Sequence, residues 1–143
     1  MKDAVVIRPA HAADDLAAMW EEIYRRQHVP LLPAGARVPF MPRGQAYVAL
    51  IDDRVAGFCC IDAPCLSELW VNVDCQRRGV GSSLIRFAEG QLREAGVDEA
   101  TLTVLAVNRP AIAFYERTGW RRDPEGLPSV TGQGFLRFRK RLS

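Results

Sequence analysis

Two glycines one residue apart, Gly79 and Gly81, sit in the run Gln76-Arg77-Arg78-Gly79-Val80-Gly81, followed at once by Ser82, Ser83, Leu84 and Ile85. An apolar stretch over 69–73 leads into this run, and a helical pattern leads out of it. Where a strand turns into a helix, the first helical N–H groups lack partners and the helix dipole presents its positive end. Glycines at such a turn let a phosphate approach the backbone, and an arginine pair adds charge, so the chemistry on offer is anion binding. No Gly-Lys-Ser/Thr follows, as a Walker A loop requires, and Leu84 stands where a dinucleotide fingerprint has its third glycine. On these residues alone, a phosphate cradle and a loop with two turn glycines are both open readings.

The surrounding pattern predicts the elements that position this run. Residues 4–9 read as a strand stopped by Pro9. Asp14 and Asp15 precede Leu16, Met19, Trp20 and Ile23 on one helical face, which predicts a helix over about 13–27 ending at Arg25 and Arg26. The stretch 28–44 is too rich in proline and glycine for a regular element. It carries His28, Arg37 and Arg43 among apolar residues, and reads equally as a wall over a binding site or as a surface connection. Runs at 45–51 and 55–61 around Asp52-Asp53-Arg54 predict a hairpin, with Gly57 marking a bulge or close packing. A further strand over 66–73 extends it into an antiparallel meander. In the helix over 80–95, Val80, Leu84, Phe87, Ala88, Gln91, Leu92 and Ala95 lie near one stripe, with Arg86, Glu89, Arg93 and Glu94 largely away from it. A strand over 100–107 follows, then a short helix capped by Asn108 and ended by Gly119, then strands at 120–122 and 135–142 around a second loop at 123–134. Strand, helix, strand gives a right-handed crossover between parallel strands, which puts the glycine run beyond the carboxyl end of one of them, where ligands bind in such sheets.

The spacing Q-x-x-G-x-G after an apolar strand, followed by the segment 108–120 with Asn108, Phe114, Tyr115, Gly119 and Trp120, resembles the GNAT (Gcn5-related) N-acetyltransferase superfamily. The resemblance runs from about Glu68 to Trp120. It implies a mixed α/β (α+β) fold: a mostly antiparallel sheet of six to seven strands with a parallel, splayed central pair and helices on both faces. It also implies acetyl-CoA, or a similar acyl-CoA, as donor, with an amine as acceptor. The pyrophosphate would lie on the backbone amides around Arg78, Gly79, Gly81, Ser82 and Ser83, with Gln76, Arg77 and Val80 also in the cofactor-binding run. The pantetheine arm would run along Val71, Asn72 and Val73, with Asn108 touching it. By the resemblance Tyr115 is the group that protonates the departing thiolate. An amine must lose a proton to attack, and a carboxylate can take it. Glu68 is the first candidate and Asp62 and Asp74 are weaker ones; a strand-end charge is the competing account of Glu68. A main-chain N–H near Val71 would stabilise the oxyanion. The rival to an enzyme is an acyl-CoA-binding sensor or interaction module on the same fold.

At 143 residues the chain is expected to form one domain, residues 1–143, with 48% hydrophobic and 25% charged residues as in ordinary globular proteins. A net charge of +2 gives no reason to expect nucleic acid as a partner. Neither a signal peptide nor a membrane span is expected. Cys59, Cys60, Cys65 and Cys75 have neither zinc-site nor disulfide spacing, so buried reduced thiols in a cytoplasmic protein are expected, with no metal. An exposed sheet edge makes a homodimer an open possibility.

Overall fold

The structure, a computed structural model, describes residues 4–27, 40, 42–123 and 134–142. Seven strands form one sheet: β1 (Val6–Pro9), β2 (Gln45–Ile51), β3 (Arg54–Asp62), β4 (Cys65–Val71), β5 (Glu99–Leu105), β6 (Arg121–Arg122) and β7 (Phe135–Arg141). Their order is β1-β2-β3-β4-β5-β7-β6, antiparallel throughout except for the parallel β4–β5 pair. Three helices cover it: α1 (Leu16–Gln27), α2 (Val80–Glu94) and α3 (Arg109–Arg117). Side chains alternate across the sheet and build two cores. Trp20 and Tyr24 of α1 pack with Val48, Phe58, Cys60 and Leu105 on one face. Leu84, Ala88 and Leu92 of α2 and Ile112 and Tyr115 of α3 pack with Ala49, Cys59, Leu102 and Phe138 on the other. This is the mixed sheet with a parallel pair and helices on both faces that the resemblance implied.

Local differences from the sequence reading have physical causes. Pro9 is inside β1, paired with Tyr47, which an edge strand tolerates. The expected helix start is split. A 3-10 turn occupies Ala12–Asp14, and Asp15, with φ +46°, breaks it from α1. Asp14 is committed to the Arg8 guanidinium at 3.0 Å, so only Asp15 caps α1, accepting from the Ala18 N–H at 3.2 Å. β4 stops at Val71 because the Asn72 side chain accepts from the Asp74 N–H and caps a 3-10 turn over Val73–Cys75. β5 stops at Leu105, where a turn closes from the Asn108 N–H to the Leu105 carbonyl.

Glu89 corrects the helical-stripe reading. It is buried, not turned away from the core. Its two oxygens take the Trp120 indole N–H at 3.2 Å and the Lys140 ammonium at 2.9 Å. Lys140 also donates to the Thr118 carbonyl at 2.7 Å. A carboxylate is affordable there because each oxygen has a donor. The trio ties α2 to β7 and to the end of α3.

The Pro/Gly-rich loops fall mostly outside the described residues, His28 and Arg37 among them. Phe40 is described: it stacks on Trp20 with centroids 5.1 Å apart and meets Phe58 edge-on, closing the α1-side core.

Candidate active site

β4 and β5 are joined at one register point only, Cys65↔Thr101, reinforced by the Thr101 N–H to the Pro64 carbonyl at 3.1 Å. Beyond it the two strands part, and β4 keeps ladder pairing with β3 alone. The carboxyl end of β4 is held tight against β3. A Cβ on Gly57 would stand 2.6 Å from the Trp70 carbonyl oxygen and 3.2 Å from the Val71 Cα, so only glycine permits this approach.

The seam opens toward the start of α2. Gly79 caps that helix with φ +84°, a left-handed backbone that glycine adopts without a steric penalty, and no side chain caps it. The Ser83 N–H is spent on the Gly79 carbonyl at 3.0 Å. Helical geometry therefore leaves the amides of Val80, Gly81 and Ser82 without intrahelical acceptors. Ser83 thus drops out as a main-chain donor. Arg77 has φ +67°, strained for a residue with a side chain. Gln76 and Arg77 are exposed, and Arg78 is half-buried. A Cβ on Gly81 would face the Phe114 ring at 3.5 Å and Val71 Cγ2 at 3.7 Å, so α2, α3 and the end of β4 converge here.

The segment expected to line the pantetheine arm is partly committed elsewhere. Asn72 donates its N–H to the Ala56 carbonyl at 2.8 Å, and its own carbonyl accepts from the Cys75 N–H. Its side-chain oxygen is engaged as well, accepting from the Asp74 N–H at 3.0 Å. Asn108 caps α3 as expected, accepting from the Ala111 N–H at 3.3 Å.

Glu68 is mid-strand, half-buried, and opposite Cys60 in the β3–β4 register, hence on the α1 face. The Trp70 indole N–H donates to its carboxylate at 3.1 Å. Removal from water raises its pKa to about 7, against the lowering effects of the Trp70 hydrogen bond and the Arg43 charge. A carboxyl near neutrality can both take and return a proton at physiological pH. The weaker candidates are committed or wet. Asp74 pairs with Arg26 at 3.2 Å and is 72% exposed; Asp62 is 49% exposed, 4.0 Å from Arg43.

Tyr115 is buried on the opposite face, its ring packed by Phe114, Trp120 and Phe138. Burial, then the charges of Glu68 and Cys59, raise its pKa further above the usual phenol value, so it stays protonated. Glu68 and Tyr115 thus flank the seam from either side of the sheet, and the field of one reaches the other. Cys59 lies on the Tyr115 side, with burial pushing its thiol up to about 12, which keeps it from being a nucleophile. All four cysteines are free thiols. Sequence reasoning missed Trp70, for which the i, i+2 spacing with Glu68 in a strand was the available signal; Arg43 was named in the 28–44 loop, but its approach to Glu68 has no local signature. Among the described residues no cluster of three or more ligating side chains could hold a metal, and no helix is long and apolar enough to cross a membrane.

Comparison with known proteins fits this geometry. Residues 11–120 match the Acetyltransferase (GNAT) family. A protein of Salmonella typhimurium (strain LT2), the ribosomal protein bS18-alanine N-acetyltransferase, is 35% identical over 113 residues, covering 74% of each chain. Apo YjaB of Escherichia coli shares the fold with a TM-score of 0.75, covering 95% of this chain and 97% of that one at 22% identity. The paia N-acetyltransferase of Thermoplasma acidophilum, in complex with coenzyme A, does so with a TM-score of 0.73, covering 96% and 99% at 16% identity. The chain belongs to the GNAT acetyltransferase family, and it is an N-acetyltransferase that takes its acetyl group from acetyl-CoA.

Proposed function

We propose that Glu68 deprotonates the attacking amine on the α1 face of the sheet while Tyr115 attends the thioester sulfur on the other. Acetyl-CoA, when bound, supplies an activated acyl group. The amides of Val80, Gly81 and Ser82, with Arg77 and Arg78 beside them, hold its pyrophosphate. The β4 edge that leaves β5 gives main-chain partners to the arm. The observation that carries this reading is Glu68: a half-buried carboxyl with a pKa of about 7, held by Trp70 beside the seam. Transfer is direct in this reading, and burial keeps Cys59 and Cys60, both pushed up to about 12, as thiols.

The same value favours an acceptor of the α-amino class. An α-ammonium has a pKa of ~7.7–8.0 and a lysine side chain ~10.4. A base near 7 faces a gap of about one unit with the first and more than three with the second. The relative that acetylates an alanine of ribosomal protein bS18 makes an N-terminal alanine the first acceptor to test. The chain's expected setting is the cytoplasm.

Ser82→Asp tests the donor site. An acidic residue in the first turn favours the helix dipole, so α2 keeps its fold while the pyrophosphate meets a like charge. Calorimetry should show coenzyme A binding weakened at least tenfold in a variant with the parent's melting temperature. Unchanged affinity would move the pyrophosphate elsewhere.

A further inference from the structure

On the α1 face, next to Glu68, a cleft of about 190 Å³ is lined by Arg43, Ser67, Thr101, Thr103, Arg137 and Arg139, together with Cys65 and two leucines. Among the described residues no carboxylate lines it. Its cations are not equivalent. Arg139 is ion-paired twice, donating to Asp123 at 2.8 Å and Glu99 at 3.0 Å. Among the described residues the ion-pair partner of Arg43 is the exposed Asp62, at 4.0 Å. Arg137 stands opposite Thr103 in the β5–β7 register and makes no ion pair among the described residues.

The position of this cleft is built. Ser67, the extra residue of the β3–β4 bulge, donates its hydroxyl to the Arg43 carbonyl at 2.8 Å and approaches the Cys60 carbonyl at 3.2 Å. That pins the Arg43 backbone at the mouth. Cys65 and Thr101, in contact at 3.0 Å, mark the point where the seam begins. Ser67 precedes Glu68 in the chain, and the Arg43 charge is felt by the Glu68 carboxyl. The cleft thus begins one residue from Glu68 along β4, and Arg43 serves both.

We infer that this cleft is the acceptor-specificity subsite, and that it selects amines bearing an anionic group, carboxylate or phosphate, a few atoms from the nitrogen. A guanidinium binds either group through paired N–H donors, and the Thr103 hydroxyl lies on the same strand register to add a third. The inference rests on the reading of Glu68 above and narrows its acceptor class.

The test uses the full chain and two pairs of short peptides that begin with alanine. One pair differs by glutamate against glutamine at the second position, the other by phosphoserine against serine. A charge-assisted contact predicts kcat/KM about ten- to a hundredfold higher for an anionic member. Whichever pair shows it names the source. In Arg137→Gln the ratio should fall to about one, through KM of the anionic peptide. Equal rates within both pairs, or a preference that survives Arg137→Gln, would overturn the inference. If no peptide is acetylated, the acceptor reading itself has failed, and the cleft is judged by calorimetry with the N-acetylated peptides. Tighter binding of an anionic one, lost in Arg137→Gln, sustains the cleft; equal binding in the parent protein overturns it.

Discussion

The Trp70 indole N–H donates to the Glu68 carboxylate at 3.1 Å from two residues further along the same strand. The pair shares a face because strand side chains repeat every second residue. This hydrogen bond favours the ionised carboxylate and offsets part of the cost of burial. Trp70→Phe keeps an aromatic ring but removes the donor. The pH at which the rate is half-maximal should rise by about one unit, because a hydrogen bond to a charged group contributes ~1.5–3 kcal/mol and one pKa unit is ~1.4 kcal/mol. An unmoved pH midpoint would show that Trp70 does not tune the base.

Tyr115 is a weaker acid than free phenol, because burial and the Glu68 charge both disfavour its phenolate. A thiolate of pKa ~8.5 cannot take its proton outright. The service proposed for it is a hydrogen bond to the sulfur as negative charge develops. Tyr115→Phe preserves the packing against Trp120 and Phe138. It should lower kcat roughly 10–100-fold with coenzyme A affinity little changed. A parent-like kcat would reduce Tyr115 to a packing residue.

Glu89 is a stability element remote from the proton transfers. Glu89→Ala leaves the Trp120 N–H and the Lys140 ammonium without their carboxylate. The expected loss is about 2–4 kcal/mol, read by urea denaturation. Pairing Glu89→Leu with Lys140→Met should recover much of it, since a packed apolar pair carries no desolvation cost. A double variant no more stable than the single would instead assign the loss to the shape of the site.

The raised Glu68 carboxyl also has a cost in stability. A carboxyl raised from 4.5 to about 7 in the folded state binds more protons folded than unfolded across that window. Its contribution is therefore fully favourable below about 4.5 and is lost as pH rises to about 7. Glu68→Gln should be more stable than the parent at pH 7.5, by up to about 3 kcal/mol, and the difference should vanish by pH 4. A variant less stable than the parent at both values would contradict the raised pKa.

The sheet was legible from hairpin spacing, from the glycine at 57 and from the glycine run opening α2, because each is a local constraint that leaves a local mark. Asn108 as a cap and Pro110 in the first turn of α3 were legible for the same reason. Glu89 was misjudged because its partners, Trp120 and Lys140, come from 31 and 51 residues away. The commitment of the Asn72 main chain to Ala56 was not legible, because nothing local announces it. Glu68 was legible as a carboxylate on β4. Its neutral-range pKa was not visible, since that depends on burial by α1 and on the approach of Arg43.

The most direct test of the account is the pH profile of turnover for Glu68→Gln against the parent, with an alanine N-terminal peptide and product mass as readout. The parent's kcat should climb with pH through about 7, as Glu68 loses its proton, and then level. The variant should be slower by ~10²–10⁴-fold between pH 7 and the pKa of the amine. The gap should narrow below pH 7, where Glu68 is itself protonated, and above the amine's pKa, where the nucleophile arrives neutral. Parallel profiles with equal rates across the range would contradict a base at Glu68 and leave it a structural charge beside Trp70.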